Sequence, residues 1–138
     1  MNWTLEVVVV PMTDIDRAKA FYSDNLGFVI DHDITVNPDN RMVQLTPPGS
    51  GCSIVIGTGM VPFMPPGSLR GLQLVVPNIA NAHAQLIERG VEVSDIQSVD
   101  GDANKALQGG TALDNVGFIF FSDPDGNSWA VQQISSRA

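Results

Sequence analysis

The chain has 138 residues, a net charge of −8 and 43% hydrophobic residues. That size and apolar content support one folded core and exclude a disordered chain. The acidic balance, with no basic stripe, speaks against nucleic acid or an anionic membrane as partner, and no apolar run reaches membrane-spanning length.

The single cysteine, Cys52, rules out an intrachain disulfide framework and suits a reducing cytoplasm. Met1-Asn2-Trp3 leads almost directly into a strand, without the pattern of a signal peptide. The acidity either suits a cationic ligand or simply keeps the protein soluble.

Leu5–Val10 is β-branched and ends at Pro11, which reads as a strand. Thr13 is the expected N-cap of a helix from Ile15 to Leu26, with Ile15, Ala18, Phe21, Tyr22 and Leu26 on its apolar face and Gly27 as its stop. Strands are expected over Phe28–Val36, Met42–Thr46 and Cys52–Ile56, with a turn at Asn37–Asn40. The linker, residues 58–68, is rich in Pro and Gly but also holds Met60, Phe63 and Met64, so it should pack on something.

The same order of signals then returns. Leu69–Val76 is a strand, and Asn78 caps a helix whose stripe is Ile79, Ala82, Leu86 and Ile87, with Gly90 as its stop. Val91–Val99 should hold a strand. Asp100–Asn115 is polar and aperiodic, a flexible loop long enough to act as a lid. Strands follow at Val116–Phe121 and Ser128–Ile134, joined by the turn Asp123-Pro124-Asp125-Gly126-Asn127. The expected organisation is α+β, with two βαβββ modules, residues 1–57 and 69–138, in a single domain.

The stretches Asp14-Ile15-Asp16-Arg17-Ala18-Lys19-Ala20-Phe21-Tyr22, Asn25-Leu26-Gly27-Phe28 and Phe121-Ser122-Asp123-Pro124-Asp125-Gly126-Asn127 resemble the vicinal oxygen chelate superfamily. That group holds glyoxalase I, bleomycin resistance proteins and extradiol dioxygenases. The resemblance implies curved mixed sheets around a cavity, helices on the convex side, and a homodimer. It implies no particular reaction.

Metal-using members carry His, Glu or occasionally Gln at inward positions of four strands. Here the matching positions are Val7, Gln44, Gly71 and Ala130, and a shift of two residues gives Val9, Met42, Gln73 and Gln132. None is His, Asp or Glu, so no cofactor is expected and a divalent metal is disfavoured. His32 and His83 read as surface or helix-flank residues, with a pocket rim as the alternative for His32.

Strand parity gives an independent view. Met42, Gln44 and Thr46 oppose Val43 and Leu45. Gln73 opposes Leu72 and Leu74, Ala130 and Gln132 oppose Trp129 and Val131, and Phe118 pairs with Phe120. The candidate ligand-binding residues are therefore Val7, Val9, Met42, Gln44, Gln73, Phe118, Phe120, Ala130 and Gln132. Apolar walls with a few amides suit a neutral or aromatic small molecule, although amides on an open sheet could equally be solvated. Two functions remain open: a metal-free binding protein of the bleomycin-resistance kind, and a glyoxalase-like or dioxygenase-type enzyme with an atypical ligand set.

Overall fold

The computed structural model describes residues 1–137 and divides them into two compact units, one of residues 1–69 with 123–127, the other of residues 70–122 with 128–137. Each is described separately.

The first unit is a four-stranded mixed sheet with one helix. Its strands are β1 (Val7–Val9), β2 (Val29–Asn37), β3 (Asn40–Thr46) and β4 (Ser53–Thr58), in the order β1-β4-β3-β2. β1 runs parallel to β4, and the other pairs are antiparallel. β1 is shorter than its apolar run because only residues from Val7 onward lie beside β4; before it, Glu6 still accepts from the Ser53 N–H at 2.8 Å. Val10, Val43, Leu45 and Ile56 form the core with Ala18 and Tyr22 of the helix.

That helix departs from the sequence reading twice. Asp14, not Thr13, is its N-cap, accepting from the Arg17 N–H at 3.1 Å. A carboxylate one residue nearer the helix reaches the third free N–H, and it also faces the positive end of the helix dipole. α1 (Ile15–Ala20) then widens into a π-helical turn at Phe21–Asn25. Within that turn Tyr22 is fully buried and stacks on Phe28, with ring centroids 5.8 Å apart.

The turn Asp123–Asn127 closes the first unit from far away in sequence. Asp123 Oδ1 accepts from the N–H groups of Asp125 and Asn127 at 3.0 and 2.9 Å, and its Oδ2 accepts from Tyr22 Oη at 2.6 Å and Asn127 Nδ2 at 2.7 Å. Asn127 also donates to the Pro11 carbonyl at 2.7 Å and accepts from the Leu69 N–H at 3.2 Å. Asp125 Oδ1 takes the Thr13 N–H, the Thr13 hydroxyl and Arg17. Thr13, freed from capping, therefore ties the start of the helix to this turn. Gly67 is required beside it, because a Cβ there would stand 2.4 Å from the Asp125 carbonyl oxygen.

The second unit repeats the plan. β5 (Leu72–Val76), β6 (Gln97–Ser98), β7 (Gly117–Ser122) and β8 (Ser128–Gln133) lie in the order β5-β8-β7-β6, with β5 parallel to β8. α2 (Ile79–Glu88) is capped by Asn78, which accepts from the Asn81 N–H at 3.0 Å. It is stopped at Gly90, whose φ of 80° lets Val91 N–H return to the Leu86 carbonyl at 2.9 Å. Ile79 is fully buried on this helix, but Ile87 is 56% exposed, so the apolar stripe is narrower than its sequence suggests.

Two expectations in this unit are corrected. The strand expected over Val91–Val99 shrinks to Gln97–Ser98, because Ser94 Oγ takes the Phe120 N–H that a backbone carbonyl would take in a ladder. The loop Asp100–Asn115 is folded rather than structureless. α3 (Ala103–Gln108) is capped by Asp102, a 3-10 turn spans Gly110–Leu113, and Leu113 is buried. Lys105 and the Ser98 hydroxyl hold the Asp100 carboxyl well below the usual range.

Candidate functional site

The nine candidate residues fall into two sets, one on each sheet. In an antiparallel or parallel ladder, residues directly opposite one another share a face.

In the first unit Val9 pairs with Val55, Val55 with Gln44, and Gln44 with His32. Val7 pairs with Ser53, and Met42 with Gly57 and Ile34. Val7, Val9, Met42 and Gln44 thus share one face, opposite Val43, Leu45 and Ile56. His32 joins them, which sequence reading left open. A bulge at Asp31 breaks the β2 register and lets its carboxylate accept from the Thr46 hydroxyl, which contacts Ser53 Oγ at 2.6 Å. No sequence signal marks that bulge, so this polar end of the face was missed.

On the opposite face, beyond the core of Val43, Leu45 and Ile56, an ion-pair layer joins β2 and β3 to α1. Arg41 bridges Asp33 at 3.0 Å and Asp16 at 2.8 Å, and Lys19 meets Asp33 at 2.7 Å. Hydrogen bonds from Arg41 and then Lys19 hold the Asp33 carboxyl well below the usual carboxylate range.

In the second unit Gln73 pairs with Ala130 and Ala130 with Phe120, while Val75 pairs with Gln132 and Gln132 with Phe118. Gln73, Phe118, Phe120, Ala130 and Gln132 therefore form one contiguous patch. Val75 belongs to it; its position two residues after Gln73 was the available signal. The Phe118 and Phe120 rings lie nearly parallel, 11° apart with centroids at 5.9 Å, and Phe120 is 39% exposed.

The amides are chained. Gln132 Nε2 donates to the Asn115 carbonyl at 2.8 Å, and Gln73 Nε2 donates to Gln132 Oε1 at 2.8 Å. Asn115 holds its place at a φ of 68°, a conformation asparagine tolerates better than most residues. The chain of bonds orients both amides on the face that also carries Phe118 and Phe120. Gln133, one residue on, points the other way and is structural. It accepts from the Ile79 N–H at 2.9 Å and donates to Gly110 O at 2.9 Å and Asp114 Oδ1 at 3.0 Å.

Val7 offers no lone pair, Ala130 none, and Gly71 only backbone; Gln44 with His32 supplies two neutral donors. Among the described residues no three His, Cys, Asp or Glu side chains come together as a metal site. Asp123 and Asp125 are held by N–H and hydroxyl donors, in the way of turn formers. His83 is half-buried on α2.

Two repeats of a mixed four-stranded sheet, each with its helix, define an α+β protein of the glyoxalase fold. Residues 4–131 match the family model of the glyoxalase/bleomycin resistance protein/dioxygenase superfamily, and the chain belongs to that family. It is similar to the solved structure of TnmS3, an antibiotic binding protein from Streptomyces sp. CB03234, with 33% identity over 97% of this chain and 98% of that one and a TM-score of 0.74. A glyoxalase/bleomycin resistance protein from the same organism is 33% identical over 94% of this chain and 100% of its own, with a TM-score of 0.71. A superfamily member from Sphaerobacter thermophilus DSM 20745 is 25% identical over 96% and 98%, with a TM-score of 0.73. No curated protein matches the chain significantly.

Proposed function

We propose that this protein binds a small organic molecule of antibiotic type and sequesters it without a metal. The observation that carries this reading is the patch of the second unit, where stacked Phe118 and Phe120 lie beside the chained amides of Gln73 and Gln132. Exposed parallel rings offer dispersion and stacking to an aromatic ligand. Gln73 Oε1 accepts one hydrogen bond from a ligand N–H or O–H, and the amide chain sets its direction before binding, which lowers the entropic cost. On the first unit, Val7, Val9, Met42 and Gln44 form an apolar face of their own with a single amide. The surface charge of −8 favours a neutral or cationic ligand over an anionic one. The similarity to an antibiotic binding protein supports the class of ligand.

The protein works in the cytoplasm as a homodimer in this reading, and it needs no cofactor. The competing reading, a metal-dependent lyase or dioxygenase, would have to draw on the paired Gln44 and His32, while the Asp31 carboxylate beside them already accepts from the Thr46 hydroxyl. Calorimetric titration with bleomycin and with a series of neutral and cationic aromatic antibiotics tests the proposal. At least one should bind, and Phe118→Ala with Phe120→Ala should weaken it about 100-fold or more, as aromatic anchors do. Turnover of a ligand dependent on added Zn²⁺, Ni²⁺ or Fe²⁺ would refute the metal-free reading.

A further inference from the structure

We propose a second, separate site in the first unit that takes one neutral aromatic ring. The linker that follows β4 and the end of β1 together line an open pocket of about 160 Å³. Val9, Pro11 and Met12 form one wall, and Val61, Phe63 and Met64 the other. No charged side chain lines it. It needs none of the residues of the aromatic patch on the second unit, and of the candidate face of the first unit it shares Val9.

Volume selects the occupant. An apolar protein cavity of roughly 150 Å³ accommodates a single benzene ring, so this pocket has room for one six-membered ring. Polarity narrows it further. Thr58 at the rim carries the one polar side chain of the lining, so an ionised ligand would lose its hydration and find no partner. The lining also adapts: Met12 and Met64 are unbranched thioethers that reshape around a guest and favour contact with ring edges.

The mouth is unfinished without a guest. Phe63 is 86% exposed at the rim, whereas Val61 and Met64 beside it are half-buried. A phenylalanine in that position gains apolar contact by closing over a molecule in the pocket. This gives the apolar linker a purpose that packing alone does not supply, because Met60 and Phe63 both remain in solvent.

The test uses the full chain with ¹³C-methyl methionine and toluene as the probe. The five methionines give five methyl signals, assigned by single Met→Leu replacements. Toluene should shift Met12 and Met64 saturably and leave Met1 in place. Val61→Phe fills the pocket with a ring from the protein itself and should weaken toluene about tenfold or more. Phe63→Ala alters only an exposed side chain, so it keeps the fold and should weaken toluene about threefold to tenfold. Toluene shifts confined to other methionines, no shift at all, or unchanged affinity in Phe63→Ala would each overturn the proposal.

Discussion

Asn127→Ala should be among the most destabilising single changes in this chain. Asn127 has no exposed surface, and its side chain makes three hydrogen bonds: to Pro11 O and Asp123 Oδ2, both at 2.7 Å, and from the Leu69 N–H at 3.2 Å. The two neutral bonds are worth about 1 kcal/mol each and the carboxylate bond about 2 kcal/mol, so the loss is about 3–5 kcal/mol. The higher end applies if water cannot reach the orphaned Pro11 carbonyl and Leu69 N–H. Against a total stability of roughly 5–15 kcal/mol, that removes about a fifth of the margin or more. In thermal terms it corresponds to a fall of about 10–20 °C in Tm for a chain of this size. Urea melts followed by tryptophan fluorescence and by circular dichroism measure it, and the m-value should stay constant. A loss below about 1 kcal/mol would mean that the turn does not hold the first unit together and would refute the reasoning.

Gln133→Leu removes the acceptor of the Ile79 N–H at the start of α2 and two donor contacts, and should cost about 2–4 kcal/mol in the same melts. The neighbouring Gln132→Leu, on the opposite face, should cost under about 1 kcal/mol. Asp33 has its carboxyl lowered by Arg41 and Lys19, so its contribution is fully present above the unfolded carboxylate value of about 4 and is lost as pH falls from there. Between about pH 5 and 2 the wild type should therefore lose more stability than Asp33→Asn, and equal losses would count against the ion-pair layer. Gly90→Ala should cost about 1 kcal/mol, because a left-handed φ of 80° is strained for alanine although the space around it is open; Gly90→Asn should cost less.

Strand faces were legible in the sequence because side-chain direction alternates with a fixed period. Parity set Gln132 opposite Trp129 and Val131, and there it joins the amide chain, whereas the adjacent Gln133 anchors α2. Helix stops at Gly27 and Gly90 were legible for the same local reason, both glycines taking a positive φ. What the sequence hid is what long-range partners decide. Asn127 and Pro11 lie far apart in the chain, and nothing near Thr13 says that Asp125 will claim its hydroxyl and leave the cap to Asp14. The bulge at Asp31 and the side-chain bond from Ser94 to Phe120 are likewise choices between competing hydrogen-bond partners. Propensity does not rank such alternatives. The segment Asp100–Asn115 was misread because its order comes from caps and one buried leucine, Leu113, rather than from a periodic apolar face.

The most direct test of the central claim is calorimetric titration of protein stripped with chelator, its metal content checked by elemental analysis, against the aromatic antibiotic series. The account predicts stoichiometric binding by metal-free protein, unchanged when Zn²⁺, Ni²⁺, Fe²⁺ or Mn²⁺ is restored and lost in the Phe118→Ala/Phe120→Ala variant. Binding that appears only after a metal is restored, and that Gln44→Ala abolishes, would contradict it.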